Sequence, residues 1–291
     1  MVGGDMKIIP GISTQVLAAR IATELGGTVS LCEFKKFPDG ELYTRVIDDI
    51  KDEEVTIVQS LMADSGLINL LQLIDAVEEA HNTTVVIPYL GYARQDKRFK
   101  PGEAISSRAI ARGISFAGIV DRVYVVNVHN RAVLEYFDVE AKDLDAAPLI
   151  GDYIARKEIA EPVIIGPDEG ARELAKAVAA PHGFDYDVLE KKRISGDEVQ
   201  IKPKEVSVEG KNVVIVDDII STGGTIAEAA SMLKAQDAND IYVTCIHGLF
   251  VQNATLRILN AGVKSIVATD TIESIFSEIS VAKMIADELT R

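Results

Sequence analysis

Short runs rich in Val and Ile alternate along the chain with stretches of helical period. This alternation constrains the fold more than any other feature. A continuously apolar strand is buried on both faces, so helices must cover the sheet that it joins, and the strands of such a sheet run parallel. The pattern predicts strands at Lys7–Pro10, Thr56–Gln59, Thr84–Pro88, Arg122–Val128, Val163–Gly166, Tyr186–Leu189, Asn212–Asp217, Ile241–Cys245 and Ser265–Ala268. It predicts helices at Thr14–Leu25, Leu67–Ala80, Ser107–Phe116, Ala147–Lys157, Ala171–Ala179, Thr225–Ala235 and Val281–Leu289. The class is α/β.

At roughly 100 to 200 residues per domain, 291 residues make two modest domains or one large one. Each half carries three strands whose downstream loops hold polar residues in similar order, which predicts a duplicated fold divided near Asp145 into residues 1–145 and 146–291. Against 30 Lys and Arg stand 45 Asp and Glu, a net charge of −15 that repels a phosphate backbone and disfavours nucleic acid as a partner. Two cysteines, Cys32 and Cys245, are too few for a disulfide framework or a four-ligand zinc site. The chain contains neither a basic-then-apolar leader pattern nor an uncharged apolar run of about 18 residues, so a cytoplasmic location without membrane contact is expected.

The most informative stretch is Asn212-Val213-Val214-Ile215-Val216-Asp217-Asp218-Ile219-Ile220-Ser221-Thr222-Gly223-Gly224-Thr225. It reads as a strand, an acid pair, a loop and the start of a helix. Ligands of open parallel sheets sit beyond the carboxyl ends of strands, and this strand ends in two carboxylates. Gly223 and Gly224 let backbone amides turn inward, Ser221, Thr222 and Thr225 add hydroxyls, and the helix start adds partial positive charge. Together they make an anion cradle. Acids beside a phosphate cradle repel the phosphate unless they grip something else, and a phosphorylated sugar satisfies both groups.

A second loop follows the strand that ends at Pro88. Arg94, Gln95, Lys97 and Arg98 stand there with Gly102 to Ser107 behind them. Arginine forks pair phosphate oxygens in two-point contacts, so this loop is suited to a polyphosphate, with Gln95 free to bond a base or a ribose. A third polar segment, Glu190 to Glu198, carries Lys191, Lys192 and Arg193 between two strands.

The Asn212–Thr225 string resembles the phosphoribosyl-diphosphate binding motif of the type I phosphoribosyltransferase fold. Together with Pro88 to Ser107, Phe37-Pro38-Asp39-Gly40-Glu41 and Thr244 to Thr271, it makes nearly the whole chain similar to the ribose-phosphate pyrophosphokinase family. The resemblance implies two tandem type I phosphoribosyltransferase-like domains, the first on the ATP side and the second on the ribose 5-phosphate side. It also implies a reaction in which the anomeric hydroxyl of ribose 5-phosphate attacks the β-phosphorus of MgATP, a diphosphoryl group moves intact and AMP leaves.

Residue roles follow from the same resemblance. Ser221, Thr222, Gly223, Gly224 and Thr225 would hold the 5-phosphate, Asp217 and Asp218 the ribose hydroxyls. Phe37, Asp39 and Glu41 would meet the adenine of ATP from a neighbouring subunit, which implies a homo-oligomer, while Arg94 and Gln95 hold the nucleotide. Lys191 and Arg193 would be the catalytic cations of a flap, Arg193 also touching ribose 5-phosphate, and they would stabilise charge at the transferring phosphorus. Mg2+ would be held partly by His129 and Asp168. Here the chain departs from the family: Asn127-Val128-His129 stands where Asp-Leu-His is usual, and Glu169 where a small residue is usual.

Two other readings share the sugar motif. A base phosphoribosyltransferase carries a hood over the base and usually one domain of this fold, whereas this chain is long enough for two. A non-catalytic regulatory relative would show damage at Lys191, Arg193 or Asp217 to Thr225, and those positions are intact.

Overall fold

A computed structural model describes residues 6–116, 118–195, 198–203 and 206–291, the side chains of 191–202 excepted. The chain divides into two units, Met1–Asp145 with Thr271–Glu273 and Val281–Arg291, and Ala146–Asp270 with Ser274–Ser280.

The first unit runs β1 (Lys7–Pro10), α1 (Gln15–Glu24), β2 (Cys32–Lys36), β3 (Leu42–Val46), β4 (Glu54–Val58), α2 (Asp64–Ala76), β5 (Asn82–Ile87), α3 (Ser106–Ser115), β6 (Arg122–Val126) and β7 (Glu140–Leu144). Its main sheet has the order β1-β4-β5-β6-β7, parallel throughout. Val55, Ile57, Val85, Ile87, Val123 and Val125 are buried in the core with Leu70, Leu73 and Ile74 of α2. β2 and β3 form a separate antiparallel hairpin. It is tied to α2 by Gln72, whose Nε2 donates to the Leu42 carbonyl at 2.8 Å and whose Oε1 accepts from the Thr44 hydroxyl at 2.8 Å.

The second unit runs α4 (Ala147–Arg156), β8 (Pro162–Gly166), α5 (Arg172–Ala179), β9 (Asp185–Ser195), β10 (Glu198–Pro203), β11 (Asn212–Ile220), α6 (Gly224–Lys234), β12 (Ile241–Gly248), α7 (Ala254–Asn260), β13 (Val263–Thr269) and β14 (Ser277–Ile279). The sheet order is β10-β9-β8-β11-β12-β13-β14, parallel except where β10 folds back along β9. Val213 to Val216 of β11 are almost wholly buried between β8 and β12. From β8 the chain moves outward to β9, and from β11 it moves the opposite way to β12. The strand order therefore reverses between β8 and β11, and a crevice opens at the carboxyl ends of such a pair.

Helix α8 (Ala282–Leu289) belongs with the first unit, although its position in the sequence follows the second. It packs Ala282, Ile285 and Ala286 inward and lies against α1. Nearby, Glu273 Oε1 accepts the Leu17 N–H at 2.8 Å. Helical period shows that a face must be buried but not which sheet buries it, so a division of all residues after 145 into one half does not describe α8. Among the described residues, no helix is long and apolar enough to cross a membrane.

Candidate active site

The carboxyl ends of β8 and β11 bring Asp168 near Asp217 and Asp218. Asp217 and Asp218 interrupt the buried run of β11, which resumes at Ile219 and Ile220, and the Asp218 N–H donates to Asp217 Oδ1 at 2.9 Å. Burial pushes the Asp217 carboxyl up to about 8, with the charges of Asp218 and then Asp168 acting in the same direction. Behind it, in register across β12, lies Cys245, fully buried and with its thiol pushed up by burial and by Asp217. Asp168 follows β8, is exposed, and its Oδ1 accepts the Gly170 N–H at 2.9 Å. Its neighbour Glu169 faces Arg172 through paired bonds of 2.6 and 3.2 Å, so the extra charge noted in the sequence is already matched.

Beyond β11 the loop Ser221 to Gly223 turns into α6. Gly223 has φ of +72° and caps the helix. A Cβ built there would lie 3.0 Å from Ile258 and 3.1 Å from the Ala254 carbonyl, so both the backbone angle and the space require glycine. The first amides of a helix have no intrahelical acceptor, so α6 opens on free donors one short loop beyond the two carboxylates. The loop's own carbonyls are taken elsewhere. Ile220 O accepts the Leu249 N–H at 3.0 Å and the Phe250 N–H at 3.1 Å, Ser221 O accepts the Val251 N–H at 3.0 Å, and Thr222 O accepts from Arg257 Nη1 at 2.7 Å. Arg257 carries no signal in the sequence, because α7 is too short for its period to stand out.

Lys191 and Arg193 lie on β9 where it pairs with β10, opposite Ile201 and Val199. Their side chains lie outside the described residues.

In the first unit, Arg94 is exposed and Gln95 half-buried in the loop after β5. Gln95 Nε2 donates to the Lys97 carbonyl at 3.3 Å and lies 3.5 Å from Glu103 Oε2. That Glu103 oxygen also accepts the Phe99 and Lys100 amides at 2.8 and 2.9 Å. The loop is thus stapled by its own carboxylate, and its Arg and Lys side chains are left at the surface. Phe37, Asp39 and Glu41 occupy the tip of the β2–β3 hairpin. Gly40 has φ of +96°, the Gly40 N–H reaches the Phe37 carbonyl at 2.9 Å, and Asp39 Oδ1 accepts the Glu41 N–H at 3.2 Å. Phe37 is 52% exposed at this tip.

β6 stops at Val126, two residues before the expected end, because Asn127 has φ of +39° and turns the chain. Asn127 Nδ2 donates to Asp145 Oδ1 at 2.9 Å, and exposed His129 stands on the loop that follows. This loop is held by Asp143, whose oxygens accept the Val128 N–H and Arg131 Nε at 2.9 Å each. Burial pushes the Asp143 carboxyl up, opposed by these two donors.

Among the described residues, no group of three or more His, Cys, Asp and Glu side chains is placed to hold a metal ion. Magnesium does not need such a group, since it is commonly bound by one or two carboxylates together with water and substrate phosphates. The hard oxygens of Asp168, exposed at the end of β8, fit that mode.

A family model described as the N-terminal domain of ribose phosphate pyrophosphokinase matches residues 6–118, and one described as a phosphoribosyl transferase domain matches residues 134–277. Over 98% of its length the chain is 54% identical to the whole ribose-phosphate pyrophosphokinase of Methanosarcina acetivorans. It is 44% identical to ribose-phosphate pyrophosphokinase 2 of Archaeoglobus fulgidus, over 98% of this chain and 100% of that one. Among solved structures, the phosphoribosylpyrophosphate synthetase of Mycobacterium smegmatis matches with a TM-score of 0.86 at 26% identity, covering 99% of this chain and 98% of that one.

Proposed function

The chain belongs to the ribose-phosphate pyrophosphokinase family, and from that premise we propose how its own residues divide the work. Its reaction transfers the diphosphoryl group of ATP to the C1 hydroxyl of ribose 5-phosphate. A bond forms between the hydroxyl oxygen and the β-phosphorus, the bond from that phosphorus to the α-phosphate oxygen breaks, and AMP leaves with 5-phosphoribosyl 1-diphosphate as product.

The observation that carries the assignment is the passage from Asp217 and Asp218 into Ser221 to Thr225. The first amides of α6, with the hydroxyls of Ser221, Thr222 and Thr225, bind the 5-phosphate. Gly223 and Gly224 bring the backbone close enough to do so. Asp217 and Asp218 take the ribose hydroxyls, and they stay clear of the phosphate because the loop separates them from the helix start. Arg94 and Gln95 bind ATP in the first unit. Phe37, Asp39 and Glu41 serve the adenine of a neighbouring copy, supported by the exposure of Phe37 on a hairpin tip, so the working form is a homo-oligomer. Lys191 and Arg193 stabilise charge on the transferring group, and Arg193 also meets ribose 5-phosphate.

Mg2+ belongs to this reading, with Asp168 and His129 as the residues that help to hold it. When bound, it neutralises charge on the phosphate oxygens of the nucleotide. A cytoplasmic location goes with this reading, supported by two substrates of nucleotide synthesis, and the net negative charge disfavours nucleic acid as a partner.

The test is product analysis of the purified chain with ribose 5-phosphate, ATP and magnesium. AMP and 5-phosphoribosyl 1-diphosphate are expected in equal amounts. ADP with a monophosphorylated product would overturn the reading.

A further inference from the structure

In the second unit β9 changes partner at one defined place. β9 pairs in parallel with β8 from Asp185 opposite Val163 to Val188 opposite Gly166. From Leu189 onward its partner is β10, antiparallel, with Leu189 opposite Pro203. Asp187 sits at this handover and is only 1% exposed. Its Oδ1 accepts the Val188 N–H at 2.8 Å and its Oδ2 accepts the Val206 N–H at 3.0 Å.

One buried carboxylate therefore ties the outgoing strand to the chain returning from β10. A carboxylate is costly to bury unless donors surround it, and here the donors lie on both sides of the ribbon's root. Around it, Leu189 and Val208 are buried in the core of the same unit, and Val206 packs against that core. Apolar contact holds the root down, while Asp187 fixes the spacing and direction of the two backbones. An apolar residue at this position would fill the space but leave the Val206 amide without this acceptor.

We propose that Asp187 is a positioning residue that sets the root of the β9–β10 ribbon and through it the placement of Lys191 and Arg193. The inference rests on the reading of those two cations as catalytic. Leverage explains why the root matters. A strand rises about 3.3 Å per residue, so Lys191 stands roughly 13 Å beyond Asp187, and a tilt of about 10° at the root moves its backbone by roughly 2 Å. Misplacement on that scale costs on the order of a hundredfold in rate.

The experiment combines steady-state kinetics of Asp187→Ala, Asp187→Asn and Lys191→Ala with amide hydrogen exchange on the full chain. In the unmodified protein the Val206 amide is expected to be strongly protected, and a fast-exchanging Val206 amide overturns the proposal whether or not any variant folds. Asp187→Ala is expected to lower kcat about a hundredfold with KM for ATP within about twofold, and Asp187→Asn, which keeps one acceptor, to fall between it and the unmodified enzyme. Amides 189–195 should lose protection while those of β11 and α6 keep theirs. Unchanged kcat in both variants, or protection lost throughout the unit rather than at 189–195, would make Asp187 an ordinary core residue. If Lys191→Ala leaves kcat intact, the catalytic reading of the ribbon fails instead, and the exchange of amides 189–195 still decides whether Asp187 roots it.

Discussion

Arg257 of α7 donates an Nη1–H to the Thr222 carbonyl oxygen at 2.7 Å, so a cation from outside the loop holds the loop's backbone. Without it the Thr222 carbonyl loses the donor that holds this part of the loop. Arg257→Met is expected to raise KM for ribose 5-phosphate about tenfold and leave KM for ATP unchanged, since a hydrogen bond from a charged donor at an exposed position is worth roughly 1.5 kcal/mol. Initial rates with each substrate varied in turn check this, and an equal rise in both KM values counts against it.

Gly223 is held at φ of +72° against Ile258 and the Ala254 carbonyl. Gly223→Ala forces a side chain into both constraints and is expected to cost about 1 to 3 kcal/mol of stability. It should also displace the amides that open α6, so ribose 5-phosphate binding falls even where the variant stays folded. Calorimetric titration at a temperature well below the melting point separates the two effects, and full affinity in the folded variant would argue against the loop as the phosphate site.

The raised Asp217 carboxyl makes stability depend on pH in a defined direction. The folded protein keeps the proton up to about 8, whereas an unfolded Asp releases it near about 3.9. Between those values the folded state binds more protons, so the contribution is full below the lower value and is lost as pH rises through the upper one. Urea midpoints of the ligand-free protein should therefore carry a falling component over this range that Asp217→Asn removes. Identical slopes in the two proteins would show that Asp217 is already charged when buried.

Lys191→Ala is expected to lower turnover by about two orders of magnitude or more while changing KM for ribose 5-phosphate little, because the cation acts on charge that develops in the transition state. Single-turnover rates measured beside equilibrium binding distinguish this from a loss of binding alone.

Asp39→Ala, at the exposed tip of the β2–β3 hairpin, should raise KM for ATP selectively. The same variant mixed with an otherwise intact but inactive Lys191→Ala chain should recover activity if the hairpin serves a neighbouring copy. Absence of recovery in mixed oligomers would place the hairpin's action within its own chain.

Much of the molecule was legible before any coordinates. Buried parallel strands such as Val213 to Val216 are continuous apolar runs, and the strand, acids, hydroxyls and glycines of Asn212 to Thr225 lie within one local stretch. Elements that lack an apolar run were missed for a physical reason. β7, Glu140–Leu144, is a charged edge strand whose exposure removes the apolar signal. β2 and β3 are surface strands packed on one side, and α7 has too few residues for a period.

The α/β class, the sugar-phosphate motif and the family are each written in neighbouring residues whose chemistry does not depend on distant parts of the chain. Folding alone reveals that α8 returns to the first unit, that Arg257 grips Thr222, that Asp143 braces the His129 loop and that Asp187 joins Val188 to Val206. The last three are contacts of single polar atoms made across turns and strands. A buried carboxylate or a lone arginine carries no periodicity, so its partner is known only once the backbone has brought the two together.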